Sequence, residues 1–226
     1  MDCASDRDGN VFVTDNGDHQ VMKFTRDGKL LLTLGVKGRA ATDNKTFNRP
    51  TDIAFGKNGD FYVSDGYGNS RVVKFSKDGK YLLDRGKKGS GPGEFDTPHS
   101  VAVDSKGTVY VSDRENNRIQ IFDQEGKFIA EWRQFGRPSG ISITRDDTIY
   151  VTDSESGPDT GAHELPGIKK GIRIGNAKTG VVTTFIEDME STVADHSGAE
   201  GIGVDAQGNV YGAVVRRRML ERHVKK

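Results

Sequence analysis

The chain has 226 residues, with 33 basic and 33 acidic side chains and a net charge of zero. That balance gives no reason to expect a nucleic acid or an anionic membrane as a partner. Hydrophobic residues make up 33% and there are 29 glycines, which suits short strands joined by tight turns better than a helical globule. No apolar run approaches the ~18–20 residues of a membrane-crossing helix. The opening MDCASDRDGN lacks the basic and apolar regions of a signal peptide. One cysteine, Cys3, excludes an internal disulfide and reads as a bystander.

Taken in chain order, the sequence repeats itself. GNVFVTDNGDHQVMKFTRDGKLLLTLG (9–35) is matched by GDFYVSDGYGNSRVVKFSKDGKYLLDRG (59–86), and GTVYVSDRENNRIQIFDQEGKFIAEW (107–132) follows the same plan. Diverged copies begin at DTIYVTDSES (147–156) and GNVYGAVV (208–215). Copies two to four open on RPTDIAF, TPHSVAV and RPSGISI, and the fifth on GAEGIGV. Apolar and polar residues alternate at period two through VYVSD and RIQIF, so these are half-buried strands, and KDGK and AQG are turns. KDGK and QEGK are not phosphate loops, because no helix follows them.

Each copy thus predicts four short strands, and four-stranded units at a period of ~40–50 residues are the mark of β-propeller blades. The reading is all-β: one propeller domain over 1–226, with blades near 1–36, 49–86, 97–132, 137–187 and 198–226. The first and last blades are expected to be incomplete, MDCAS being a poor strand and the fifth copy stopping before an outer strand. Five blades then either close on themselves or have their open edges covered by a second copy in a homodimer. The aspartates that end the second strands, Asp15, Asp65, Asp113 and Asp153, are expected to accept backbone N–H bonds in the loops after them.

The loop after Asp65 reads Gly66-Tyr67-Gly68-Asn69-Ser70-Arg71. A hairpin loop uses Gly, Asn and Asp and gains nothing from an aromatic ring. In a propeller this loop shares a rim with the start of the entry strand, so Tyr67 is expected to face the central depression. Fourteen residues before each second-strand aspartate lie Met1, Thr51, His99 and Ser139, and the same count in the fifth copy reaches Glu200. An imidazole and a carboxylate in one funnel can hold a Zn²⁺-like ion or merely hydrogen-bond across a wet channel.

At VSDGYGNSRVVKFSKDG and TPHSVAVDSKGTVYVSDRENNRIQIF the chain resembles the peptidyl-α-hydroxyglycine α-amidating lyases, NHL-repeat propellers, over roughly 6–132. The resemblance implies a six-bladed fold with a catalytic zinc on three channel histidines and a structural calcium. The implied reaction splits a hydroxyglycine-extended peptide into its amide and glyoxylate. It matches Tyr67 to the catalytic tyrosine, His99 to a zinc histidine and Arg114 to a substrate arginine, with a secreted or periplasmic setting. A phenol beside a cation has its pKa lowered toward use as a base, and Arg114 offers a planar fork for a carboxylate, or else an ion pair with Glu115 or Asp113. The chain departs from the pattern at several places. Met1 and Glu200 stand where the family has its other zinc histidines, Gly201 replaces a calcium aspartate, and Gly68 replaces a cysteine of animal members. The blade carrying a further substrate arginine is absent. An N-terminally truncated chain and a bacterial branch with another use both fit.

Other residues read as structural. His19 lies in the first copy's counterpart of the tyrosine loop, and His163 in an insertion at 156–171. His196 is close in sequence to Glu200, His223 lies in the final strand, and Trp132 should pack. Arg216, Arg217 and Arg218 read as a solvated turn. Three functions compete: a metal-dependent lyase on a small α-hydroxy amide, with His99 and Glu200 as ligands; a calcium-dependent lactonase or esterase that would use Glu200; and a non-enzymatic scaffold binding a peptide or protein. Near-stoichiometric metal in purified protein favours the first two over the third.

Overall fold

The structure is a computed structural model that describes residues 2–157, 165–192 and 197–225. The fold is all-β, with five antiparallel sheets in series that form the blades of an NHL-type propeller. The first blade holds β1 (Cys3–Ser5), β2 (Val11–Asp15), β3 (Gln20–Phe24) and β4 (Leu30–Leu34). The second holds β5 (Asp52–Phe55), β6 (Phe61–Asp65), β7 (Arg71–Phe75) and β8 (Tyr81–Arg85). The third holds β9 (Pro98–Val103), β10 (Val109–Asp113), β11 (Arg118–Phe122) and β12 (Phe128–Trp132). In the fourth are β13 (Pro138–Ile143), β14 (Thr148–Asp153), β15 (Gly171–Asn176) and β16 (Val182–Glu187). The fifth has β17 (Ala199–Val204), β18 (Val210–Val214) and β19 (Met219–His223). No helix of the described residues is long and apolar enough to cross a membrane.

The last blade lacks an outer strand among the described residues, as its sequence implied. The first blade does not fit that expectation. Cys3, Ala4 and Ser5 pair with Val13, Phe12 and Val11 to make a short fourth strand. A poor strand sequence is recruited here because Ala4 packs on an apolar cluster, and burial overrides propensity.

The chain divides into two compact units, Met1–Asp113 with Gln120–Ala130, and Arg114–Ile119 with Glu131–Lys226. In the first unit the period of two is used on both faces of the second blade. Phe61 and Val63 of β6 point into a cluster with Phe12, Val21, Phe47, Ile53, Val73 and Phe75. Tyr62, from the opposite face, joins Val72, Phe95, Val101, Val109, Val111 and Phe122. All five β6 residues are therefore buried. Phe61 lies 5.2 Å from Phe12 and 5.4 Å from Phe75, ring centre to ring centre. Burying one such ring contributes about 1.5–3 kcal/mol.

The second-strand aspartates bind more than the loops behind them. Asp15 does what the sequence implied, accepting from the amides of Gly17 and Asp18. Asp153 accepts from Ser156 in its own loop and also from the amide of Arg137. Asp65 takes the amide of Asn48, and Asp113 the amide of Asp96, both upstream of the entry strand. The carboxylate thus locks the start of its own blade, because a buried oxygen at a strand end meets that segment's unpaired amide first. Trp132 packs as expected, 5.9 Å from Phe135. Arg217 is not solvated: it pairs with Asp188 and, at 3.0 Å, with Glu221.

Candidate functional site

The Tyr67 loop hangs on the segment that precedes β5. Tyr67 N donates to Arg49 O at 3.3 Å and Gly68 N to Asn48 O at 3.0 Å. Both ends of the loop are anchored by Asp65, whose carboxylate accepts from Asn69 Nδ2 at 2.7 Å and Arg71 Nε at 3.0 Å. Arg71 continues to Asp84 at 3.0 Å and to the carbonyls of Thr46 and Asp43. Burial raises the Asp65 pKa even though Asn69, Asn48 and Arg71 oppose it. The loop is held from beneath by a desolvated carboxylate and its guanidinium partner.

Gly66 is required by a close approach. A Cβ there would sit 2.0 Å from the carbonyl oxygen of Pro98 and 3.2 Å from Thr51 Oγ1. Thr51 Oγ1 itself lies 3.0 Å from both Pro98 O and Ser64 O and shares its one proton between them. The loop of one blade is therefore seated on the residue that precedes His99 in the next. The result is a direct contact: Tyr67 Oη is 2.8 Å from His99 Nε2, with the rings edge to face at 5.3 Å and 86°. Both side chains are half-buried.

Two residues that sequence reasoning passed over complete the surroundings. The guanidinium carbon of Arg49 lies 5.2 Å from the centre of the Tyr67 ring. Its amide donates to His19 Nδ1 at 3.0 Å, so His19 carries any single proton on Nε2. The second residue is Asp52, a buried carboxyl bonded to the residues that follow His99. Ser100 Oγ bonds its carboxyl, and the amides of Val101 and Ile53 donate to it at 3.0 and 2.6 Å. Burial, with the nearby charge of Asp2, pushes the Asp52 pKa well above the usual carboxylate range. This acid stitches β5 to β9 at Ser100 and Val101. Its sequence signal was a carboxylate in an otherwise apolar entry strand, TDIAF.

Thr51 and Ser139 are buried rather than open to a channel, Ser139 lying 2.7 Å from Ser154 Oγ. Met1, His163 and His196 lie outside the described residues. Arg114 and Glu200 belong to the second unit. Arg114 opens a 3-10 turn, Arg114–Asn116, and is buried 3.5 Å from Glu115 and 4.0 Å from Glu155. Arg137 takes the same two carboxylates more closely, at 2.6 and 2.9 Å. Burial opposes the Arg137 charge, but these partners hold its pKa above the ordinary value. The ion pair between Arg114 and Glu115 is buried rather than at the surface. Burial raises the Glu200 carboxyl while Arg114 lowers it.

No three His, Cys, Asp or Glu side chains gather into a metal-ligating group among the described residues. A catalytic zinc takes about three protein ligands, and His99 turns its Nε2 to a phenol instead. The described residues therefore offer no ready three-donor group for the zinc or the calcium that the resemblance implied.

Comparison with known proteins bears on this geometry. The NHL repeat model matches residues 47–75 and 95–122, the two stretches that carry Tyr67 and His99. Peptidyl-glycine alpha-amidating monooxygenase B of Xenopus laevis is 38% identical over 167 residues, 66% of this chain and 19% of that protein. A probable peptidyl-alpha-hydroxyglycine alpha-amidating lyase of Caenorhabditis elegans is 40% identical over 146 residues, 62% of this chain and 40% of that one. The chain therefore spans a fifth of the first relative's length and two fifths of the second's. Among solved structures, a nidogen/laminin complex superposes with a TM-score of 0.69 over 98% of this chain and 74% of that chain, at 15% identity. That last likeness shows the fold alone.

Proposed function

We propose that this chain, an NHL-repeat propeller resembling the peptidyl-α-hydroxyglycine α-amidating lyases, cleaves an N-acyl-α-hydroxyglycine into the amide and glyoxylate, with Tyr67 and His99 as a proton-transfer pair. The observation that carries the reading is the 2.8 Å contact between Tyr67 Oη and His99 Nε2, on the two segments that the NHL repeat model matches. Breaking the carbinol carbon–nitrogen bond needs the hydroxyl proton removed and the departing nitrogen protonated. As Tyr67 passes its proton to His99, its oxygen accepts the substrate hydroxyl proton. The carbon–oxygen double bond forms, the carbon–nitrogen bond breaks and its electron pair goes to nitrogen. The proton held on His99 returns through Tyr67 to that nitrogen, so the enzyme ends as it began. General acid–base catalysis of this kind contributes about 10²–10⁴-fold.

The Arg114 guanidinium, sharing Glu115 and Glu155 with Arg137, has no part in this scheme. The test is glyoxylate release from an N-acyl-α-hydroxyglycine peptide, read against the uncatalysed decay. Turnover lost in Tyr67→Phe with an unchanged fold supports the reading. No release above the uncatalysed rate by the unsubstituted protein overturns it.

A further inference from the structure

We propose that Arg49 is the anion anchor of this site, a guanidinium that takes the carboxylate of a ligand lying against Tyr67. The inference rests on the reading above for where the ligand lies, and on Arg49's own geometry for what it binds.

Arg49 is exposed, and no described carboxylate pairs with it. Within the same unit Arg71 spends its donors on Asp65, Asp84 and two carbonyls, and Arg39 pairs with Asp43. Arg49 instead lies over the Tyr67 ring at 5.2 Å. A cation on an exposed ring gains only about 0.5–1 kcal/mol. The contact orients the guanidinium while leaving its donors for a ligand. The fork of N–H groups matches a carboxylate in shape as well as charge.

The backbone aims the side chain. Arg49 has φ 62°, a left-handed conformation that a bulky residue before a proline seldom takes. It is held there from both sides, its amide on His19 Nδ1 and its carbonyl on Tyr67 N. The equivalent residue of the next blade, Thr97, has φ 56°, so the second and third blades share the strained turn. Only the side chain differs, and position 49 places a cation beside the phenol. One residue thus fixes the tyrosine loop by its main chain and offers charge by its side chain.

The test separates binding from turnover. Binding of N-acetyl-Phe-Gly, with its free carboxylate, and of its C-terminal amide is measured calorimetrically on the full chain. The unsubstituted protein should prefer the acid at least tenfold. Arg49→Gln should bring the two within about twofold, and Arg49→Lys, which keeps the charge without the fork, should fall between. Thermal denaturation checks that each variant is folded. An intact tenfold preference in Arg49→Gln overturns the assignment. Absence of any preference, or of any binding, in the unsubstituted protein also overturns it. The two proposals fail separately. A preference lost in Arg49→Gln, with no glyoxylate formed by any form of the protein, sinks the lyase reading and keeps the anchor. Glyoxylate release with the same KM in Arg49→Gln sinks the anchor and keeps the lyase.

Discussion

Replacing Gly66 by alanine tests whether the loop seat sets the reacting geometry. The new Cβ would sit 2.0 Å from Pro98 O and 2.8 Å from Pro98 C, both main-chain atoms that cannot swing away. Restoring an ordinary carbon–oxygen contact of about 3.3 Å moves loop and strand apart by roughly 1.3 Å. Applied along the Tyr67–His99 contact of 2.8 Å, that shift opens it to roughly 4.1 Å, beyond any hydrogen bond. Overpacking of this sort costs about 1–3 kcal/mol, and the lost bond adds about 0.5–1.5 kcal/mol. A misplacement near 1 Å at reacting groups lowers turnover by about 10²-fold. Gly68→Ala is the control. Its Cβ would first meet the end of the half-buried Asn48 side chain, at 2.2 Å, and a side chain can swing about its own torsions where a main chain cannot, so the cost should stay near 1 kcal/mol. Urea denaturation gives the stabilities and glyoxylate release the rates. A Gly66→Ala protein with unchanged midpoint and turnover would refute the argument that Pro98 O seats the loop.

Arg71→Ala strips the partner from Asp65, whose side chain is fully buried, and should destabilise by about 3–5 kcal/mol; a loss under about 1 kcal/mol by urea denaturation would mean that water reaches the carboxylate. Tyr67→Phe and His99→Ala should be strongly non-additive in kcat, the double variant losing little more than either single one; full additivity would break the proton-transfer pair. Asp52 titrates above the usual carboxylate range in the folded protein, so the folded state holds that proton more tightly than the unfolded chain. Its contribution therefore favours the fold at acid pH and is lost as pH rises from ~4 toward the folded-state value. The melting temperature of Asp52→Asn should consequently vary less between pH 4 and 7 than that of the unsubstituted protein, and an identical pH slope in both would show Asp52 ionised in the fold.

The repeat made the blades legible because each copy restates the same alternation, and a fixed count along it carries Thr51 and His99 to equivalent entry positions. Tyr67 stood out because nothing in a hairpin loop calls for a ring. Side-chain partners across neighbouring strands were not legible in this way. Arg71 and Arg118 occupy the same place at the start of β7 and β11, and each reaches an acid on the next strand, Arg71 to Asp84 at 3.0 Å and Arg118 to Glu131 at 2.7 Å. Asp113, the counterpart of Asp65, accepts from Gln120 at 3.1 Å, where the second blade has Val73. Which partner wins depends on reach and burial across strands, and period two is silent on both. Arg49 was hidden for a related reason. In the sequence it is one of two arginines that precede a blade-opening proline, Arg49 and Arg137. Folded, Arg137 is buried between Glu115 and Glu155, and Arg49 lies open over a tyrosine. The same dipeptide gives a structural ion pair where acids surround it and an unpaired cation where they do not. The functional difference between the two copies therefore resides in their neighbours rather than in the motif.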